Sequence, residues 1–208
     1  MKEQEITNQE SLELITSMLA RTRHRLRLGD GDIMLLWGYL TVGVALLITA
    51  LLVITQNPVC NWLWFLIMII GGTISPHISR RKEAIAGAKT HLDVISHGIW
   101  TAVGYLSLAM IATCLIFLYF GKDCWEIMLL FPLLIVGFAE AIQGIVIREK
   151  SLIAGGTIGM ICGIVTSACI ATNTPLAVAW YMPMFIVAFT AMMIIPGHIL
   201  NHKARRQQ

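Results

Sequence analysis

Six long apolar blocks restrict this chain to the folds of membrane proteins. A helix needs about 20 apolar residues to cross roughly 30 Å of hydrocarbon. Six blocks reach or approach that length: residues 33–55, 62–79, 99–120, 127–147, 152–172 and 176–200. Of all residues 57% are hydrophobic and only 13% are charged, which excludes both a soluble globular domain and a disordered chain.

The continuity of the blocks predicts helices. The strands of a membrane β-barrel would alternate between apolar and polar residues, and these blocks do not. Short connections pair the spans as three hairpins. We therefore predict an all-α integral membrane bundle of six transmembrane helices. Its parts are residues 1–32, a cytoplasmic helix and linker, residues 33–200, the membrane domain with an inner loop at 80–97, and residues 201–208, a basic cytoplasmic tail.

The positive charges predict the orientation of the bundle. Every Lys and Arg except Lys122 falls at the same set of block ends. Because cytoplasmic loops carry an excess of Lys and Arg, both termini are expected in the cytoplasm. Residues 1–28 are polar, so we expect no cleavable signal peptide, and the first span would act as the insertion signal.

The segment before the first span has the pattern of an amphipathic helix over residues 7–28. Its apolar stripe includes Leu12, Ile15 and Leu19, and its later part carries Arg21, Arg23, Arg25 and Arg27. Two interpretations stay open. The helix could dock a soluble cytoplasmic partner, or it could lie on anionic lipid of the bilayer. The loop at 80–97 has a similar mixture and predicts a short helix on the membrane surface.

Glu140 is the one acidic residue well inside a predicted span. Eight residues separate it from Arg148, which places it roughly 12 Å from the inner end. Gln143 lies on the same helix face, and Thr73 lies at a similar depth. Ionisable groups at such depth are costly and usually face protein or water. Two interpretations remain: a proton or cation site, or a protonated Glu140 that is hydrogen-bonded to a neighbour such as Thr73.

Histidines His77, His97 and His198 are predicted at the inner ends of the second, third and sixth spans. Three imidazoles at one depth could bind a metal ion, and a pair could hold a haem. Histidine is also ordinary near a membrane interface, where its polar end reaches water. The sequence therefore predicts no cofactor as such, and leaves haem or metal at these residues as a hypothesis.

Cysteines and small residues suggest two structural contacts. Cys60 and Cys124 fall in the first two outer loops, where an oxidising exterior would allow a disulfide; the alternative is two unrelated small residues. The fifth span carries Gly155, Gly159, Gly163 and Ser167, four residues apart. This row of small residues predicts either that the span is central in the bundle or that it forms the face of a homo-oligomer.

No catalytic motif is recognisable. The string Gly29-Asp30-Gly31-Asp32 matches the G-x-G-D of intramembrane aspartyl proteases, but it precedes the first span and no span contains an Asp. The sequence has no P-loop and no nucleophile elbow, so we do not expect an enzyme. The arginines before the first span are explained by lipid, so we do not expect direct binding of nucleic acid.

The start of the chain resembles a group of uncharacterised small bacterial membrane proteins with several spans. The resemblance rests on the string Gln9–Ile15, the basic run Arg21–Arg27 and the string Trp37-Gly38-Tyr39-Leu40. The resemblance implies that the protein resides in the bacterial cytoplasmic (inner) membrane. Members of that group are often encoded beside winged-helix regulators, which implies a membrane component of a regulatory pair. The resemblance carries over no catalytic residues.

These observations support three hypotheses about function. In the first, the protein is regulatory or sensory and contacts a soluble cytoplasmic partner through residues 7–28 and 80–97. In the second, it is a small-solute or ion transporter or channel that uses Glu140 and Gln143. In the third, it binds haem or metal through the three inner histidines.

Overall fold

The computed structural model describes residues 31–86 and 91–206, apart from the side chains of 82–86 and 91, and this part is almost entirely helical with no strand. The helices are α1 (Asp32–Thr55), α2 (Phe65–Ala86), α3 (His91–Tyr119), α4 (Trp125–Ile147), α5 (Lys150–Ala171), α6 (Val178–Phe189) and α7 (Ile195–Arg206). A 3-10 segment, Pro58–Trp64, precedes α2. A π-helical turn, Thr190–Ile194, joins α6 to α7.

Six helical segments are long and apolar enough to cross a membrane, as in an integral membrane protein. They are Asp32–Thr55, Pro58–Arg81, Leu92–Tyr119, Trp125–Ile147, Lys150–Ala171 and Val178–Arg206. The predicted all-α class with six apolar spans is confirmed for the described residues. The sixth span consists of α6, the π-helical turn and α7.

Helices continue beyond two of the predicted spans. In the segment predicted as the inner loop at 80–97, α2 continues to Ala86 and α3 begins at His91. Likewise, α7 continues through residues 201–206. The helix is extended there because Asn201 and Lys203 bind partners on other elements, and basic residues favour a helix C-terminus.

Local chemistry explains why the connections are short. After α1, Gln56 adopts a left-handed conformation with φ 52° and its N–H donates to Leu52. The Asn57 side chain then accepts a hydrogen bond from the Val59 N–H, and Pro58 begins the 3-10 segment. This arrangement satisfies the backbone groups at the end of one helix and the start of the next.

The helices pack in the order α2, α1, α6 with α7, α5, α4 and α3, and α4 with α5 is the most extensive contact. We call the end of the bundle where α1 begins and α7 ends the basic end. The opposite end, with connections 56–64, 120–124 and 172–177, is called the short-loop end. There the rings of Trp62 and Trp125 lie 6.1 Å apart, which brings the first two connections together.

Glycines allow α4 and α5 to approach closely. A methyl group on Gly144 would lie 2.7 Å from the Ile153 nitrogen, and one on Gly137 would lie 2.9 Å from the Gly156 carbonyl oxygen. Both distances are too short for a side chain, so glycine is required at these positions. The close approach of α4 and α5 at Gly137 and Gly144 holds the Glu140 side chain, which lies between them in sequence, next to α5.

Candidate functional site

Glu140 lies in the interior of the bundle, between α4, α5 and the π-helical turn. Its side chain is completely buried. A methyl group on Gly155 would lie 3.3 Å from Oε1 of Glu140 and 2.6 Å from the Ala191 carbonyl oxygen. Gly155 thus leaves the space that the carboxyl group occupies. Beside it Met192, also fully buried, fills the space over Gly159.

Neither carboxyl oxygen of Glu140 has a hydrogen-bond partner. Among the described residues, the other buried side-chain polar atoms without a partner are Trp64 Nε1 and Tyr181 Oη. Most buried polar groups in proteins are hydrogen-bonded, so an orphaned carboxyl group needs an explanation. Of these orphaned groups it is also the one whose side chain is ordinarily ionised at neutral pH.

The π-helical turn and this carboxyl group both lie next to Gly155 of α5. The Ile195 N–H donates to the Thr190 carbonyl, five residues earlier. Pro196 follows and has no N–H to donate, so the helix cannot continue with its regular bonds at this point. Such π turns inside α-helices are frequent at functional sites. The main chain next to Glu140 therefore departs from regular geometry.

The other two residues proposed for the intramembrane polar site do not reach Glu140. Gln143 Oε1 accepts a hydrogen bond from Trp100 Nε1 and so joins α4 to α3. Thr73 is exposed on α2, and its hydroxyl donates to the carbonyls of Ile69 and Ile70 on the same helix. The interpretation in which Thr73 satisfies Glu140 is wrong for this structure.

The three histidines are not brought together. His198 lies on α7, and its Nε2 is 2.7 Å from the Tyr39 hydroxyl. His77 lies on α2, where its Nδ1 is 2.9 Å from the Thr73 carbonyl oxygen of its own helix. Within residues 31–86 and 91–206, no group of three His, Cys, Asp or Glu side chains could hold a metal ion. The arrangement therefore gives the proposed site at His77, His97 and His198 no support.

Cys60 and Cys124 are free thiols in the structure. Cys60 lies 3.6 Å from the Thr55 hydroxyl. Cys124 is buried, and its side chain is a near neighbour of Cys114 on α3. The disulfide proposed between Cys60 and Cys124 is therefore not formed, because Cys124 points toward α3 rather than toward the first connection.

The row of small residues packs within the chain. Gly155, Gly159 and Gly163 are buried, while Ser167 is half-buried and donates to the Gly163 carbonyl. A methyl group on Gly163 would lie 2.5 Å from a Leu134 methyl carbon. Of the two alternatives for this row, the structure shows the one in which the fifth span is packed centrally in the bundle. The glycine face is occupied by α4 and the π-helical turn.

The basic end contains contacts that the sequence did not predict. Lys203 on α7 donates to both carboxylate oxygens of Glu149, at 2.7 and 2.8 Å. Asn201 accepts from the Gly31 N–H at 2.9 Å and donates to Asp32 at 2.6 Å. These partners are more than 50 residues apart in sequence, and nothing in the local pattern indicates the pairing. They hold α7 to the start of α1 and to the connection between α4 and α5.

Glu149 is the ionisable residue of this group with a shifted pKa. Its burial tends to raise the pKa. The hydrogen bonds from Lys203 and Ser151 and the positive charge of Lys203 outweigh that effect, so the pKa of Glu149 lies below the usual value. Glu149 is thus a stable carboxylate, in contrast to the unpartnered Glu140 on the preceding helix.

The proposed partner or lipid surface, with Leu12, Ile15, Leu19, Arg21, Arg23, Arg25 and Arg27, lies outside the described residues. Both interpretations of that helix therefore stay predictions. No protein-family model, curated protein or solved structure matches this chain. The site is therefore interpreted from its own geometry and chemistry.

Proposed function

We propose that this chain is a proton-coupled transporter of a small cation or solute, in which Glu140 takes up and releases the proton. The observation that carries the proposal is the complete burial of the Glu140 carboxyl group with neither oxygen hydrogen-bonded. Intramembrane carboxyl groups are rare because they are costly, and they commonly belong to ion pathways and proton relays.

The energetics of burial support a change of protonation state. An ionised carboxylate without a partner in an apolar interior costs several kcal/mol. The closed arrangement around Glu140 therefore accommodates the neutral acid. Release of the proton requires a rearrangement that brings water or a cation to the carboxylate, and this requirement couples the charge of Glu140 to the conformation of the bundle.

The elements around Glu140 favour such a rearrangement. One wall is the π-helical turn, where the hydrogen-bond register changes before Pro196. The opposite wall is the glycine face of α5, with Gly155 and Gly159. A shift of the π-helical turn to regular α-helix would move Met192 relative to these glycines. Register changes of this kind are a known route between two packed states.

The experiment measures proton movement in vesicles. Purified protein would be reconstituted in phosphatidylethanolamine and phosphatidylglycerol vesicles that enclose a pH-sensitive dye. Gradients of Na+, K+ and a mixture of small metabolites would be imposed with and without a membrane potential. We expect the wild type to move protons under at least one gradient, and Glu140→Gln to reduce that rate at least about tenfold, by removing the titratable group.

A matched control is available on the same helix. Glu126 is exposed at the start of α4, so Glu126→Gln removes a carboxyl group without touching the interior. This variant should transport like the wild type. Absence of proton movement by the wild type under every gradient would overturn the proposal, and so would equal rates for the wild type and Glu140→Gln.

We further propose that the protein resides in the bacterial inner membrane with both termini in the cytoplasm. The support is the distribution of Lys and Arg, which places the basic end on the cytoplasmic side. The regulatory hypothesis, in which residues 7–28 and 80–97 bind a soluble protein, stays a separate prediction. It is compatible with a transporter, since a transporter can report its state to a cytoplasmic partner.

A further inference from the structure

Two buried thiols meet at the short-loop end, far from Glu140. Cys114 lies near the end of α3 and Cys124 directly precedes α4. Each is only 1% exposed, and the two side chains are near neighbours. The connection between α3 and α4 therefore places two thiols beside each other inside the protein.

Two thioethers extend this thiol pair. Met110 lies one helical turn before Cys114, and its Sδ is 3.3 Å from the Cys114 Sγ. Met128 lies one turn after Cys124 and is also buried, at 9% exposure. Residues four apart share a helix face, so Met128 lies on the face of α4 that carries Cys124.

The spacing of these four residues is symmetrical about the hairpin. They form the pattern Met-x3-Cys-x9-Cys-x3-Met from 110 to 128. The helices α3 and α4 are joined by a short connection and pack against each other. Each methionine lies one helical turn from a cysteine of its own side of the hairpin. The hairpin thus carries four sulfur-bearing side chains around its connection.

We propose that Met110, Cys114, Cys124 and Met128 form a binding site for one Cu(I) ion. Thiolate and thioether sulfur are soft ligands that select Cu(I), whereas Zn(II) is bound by thiolate, imidazole and carboxylate. None of the four residues is a histidine or a carboxylate, and the neighbouring Asp123 uses its Oδ1 to accept from the Trp125 N–H. The ordinary alternative is that these residues pack as apolar groups, and it predicts no uptake of Cu(I).

The binding step balances in charge and protons. Cu(I) replaces the thiol protons of Cys114 and Cys124, so two protons are released and a thiolate complex with one net negative charge forms. The methionine thioethers bind without losing a proton. Neither copper nor sulfur changes oxidation state. Residues 119–123 beside the thiols are exposed, and they give the ion a route from the membrane surface.

The test is Cu(I) titration of the full-length protein in detergent, without oxygen, against a coloured Cu(I) chelator. We expect one ion per chain and copper–sulfur distances alone in X-ray absorption. The double variant Cys114→Ser/Cys124→Ser should lose binding. Met110→Leu and Met128→Leu preserve volume and should each weaken binding about tenfold or more. The controls Cys60→Ser and Cys162→Ser change cysteines elsewhere and should bind like the wild type.

Three results would overturn the proposal. The first is equal Cu(I) uptake by the wild type and the Cys114→Ser/Cys124→Ser variant. The second is unchanged affinity in both methionine variants, since the site would then not contain thioethers. The third is a Cys114–Cys124 disulfide in the isolated protein that, once reduced, takes up no Cu(I). That result would assign the thiol pair to redox chemistry instead.

Discussion

The Lys203 ammonium donates hydrogen bonds to both carboxylate oxygens of Glu149, at 2.7 Å and 2.8 Å. The pair joins the last helix to the start of α5. The same Glu149 side chain accepts from the Ser151 N–H at 3.4 Å and so caps α5 as well, and it also accepts from the Ser151 hydroxyl at 3.0 Å. One carboxylate therefore supports both a helix start and a contact between distant segments, only nine residues after the unpartnered Glu140.

The first prediction concerns the pH dependence of stability. The pKa of Glu149 is lowered in the folded protein, so its contribution is fully present above the usual pKa of 4.5. The contribution is lost as the pH falls through the lower, folded value. We expect Lys203→Met to lower the free energy of unfolding by about 1 kcal/mol at neutral pH, since Lys203 is half exposed. On acidification, the stability of this variant should fall less than that of the wild type.

Unfolding of the detergent-solubilised protein at several pH values measures this effect. Lys122→Met is the control, because Lys122 is an exposed residue near the short-loop end. An acid-induced loss of the same size in the wild type and Lys203→Met would show that the pair does not stabilise the fold.

The second prediction compares the two buried glutamates. Glu140→Met removes a carboxyl group that has no partner, and we expect stability to be unchanged or higher by about 1–3 kcal/mol. Glu149→Met removes a carboxylate with several partners, and we expect the free energy of unfolding to fall by about 1–3 kcal/mol. Thermal unfolding of both variants in detergent is the measurement. Destabilisation by Glu140→Met would mean that this carboxyl group has a partner in the membrane.

The third prediction concerns the contact between α4 and α5. A methyl group on Gly144 would lie 2.7–2.8 Å from atoms of Leu152 and Ile153. Gly144→Ala should therefore destabilise the protein by about 1–3 kcal/mol through overpacking. At Gly104 no atom lies within 4 Å of such a group, so Gly104→Ala should be neutral or slightly stabilising. Equal effects in unfolding experiments would contradict this packing.

The fourth prediction is the orientation in the membrane. A reporter fused after Lys122 should face the exterior, and one fused after Lys89 should face the cytoplasm, because the basic end follows the distribution of Lys and Arg. Enzyme reporters that are active on only one side of the membrane show on which side each fusion point lies. The reverse pattern would invert the topology and contradict the proposed location of the termini.

The fifth prediction tests the regulatory hypothesis. Deleting residues 1–28 should abolish capture of a soluble partner from native membranes while insertion stays intact. The measurement is affinity capture followed by mass spectrometry, with the full chain as reference. Equal capture by both chains would argue against a docking role for residues 7–28 and favour their contact with lipid.

The sequence was sufficient for the spans, because membrane helices depend on local composition. The bounds of α1, α4 and α5 lie within two residues of the predicted blocks. Pro76 lies inside α2, which continues to Ala86, and membrane helices tolerate proline where neighbours satisfy the backbone. Glu140 lies within α4, inside a block predicted as a span.

The partners of the site residues could not be predicted from one sequence. Gln143 accepts a hydrogen bond from Trp100, and Cys124 is a near neighbour of Cys114. Both contacts depend on the rotation of α3 about its own axis, which decides which of its residues face α4. The Met-x3-Cys-x9-Cys-x3-Met spacing was visible in the sequence. It acquires chemical meaning only when the hairpin brings α3 and α4 together. The lack of a partner for Glu140 is a property of the whole bundle.

The most direct test of the central claim is infrared difference spectroscopy of the protein in lipid vesicles. Protonated carboxylic acids have a carbonyl band separate from that of carboxylates, so the proton on Glu140 can be followed directly. We predict a band that is lost in Glu140→Gln, is retained in Glu126→Gln, and changes when a transport gradient is applied. A Glu140 band that is absent in the wild type, or that stays constant under every gradient, would contradict a proton-carrying role for Glu140.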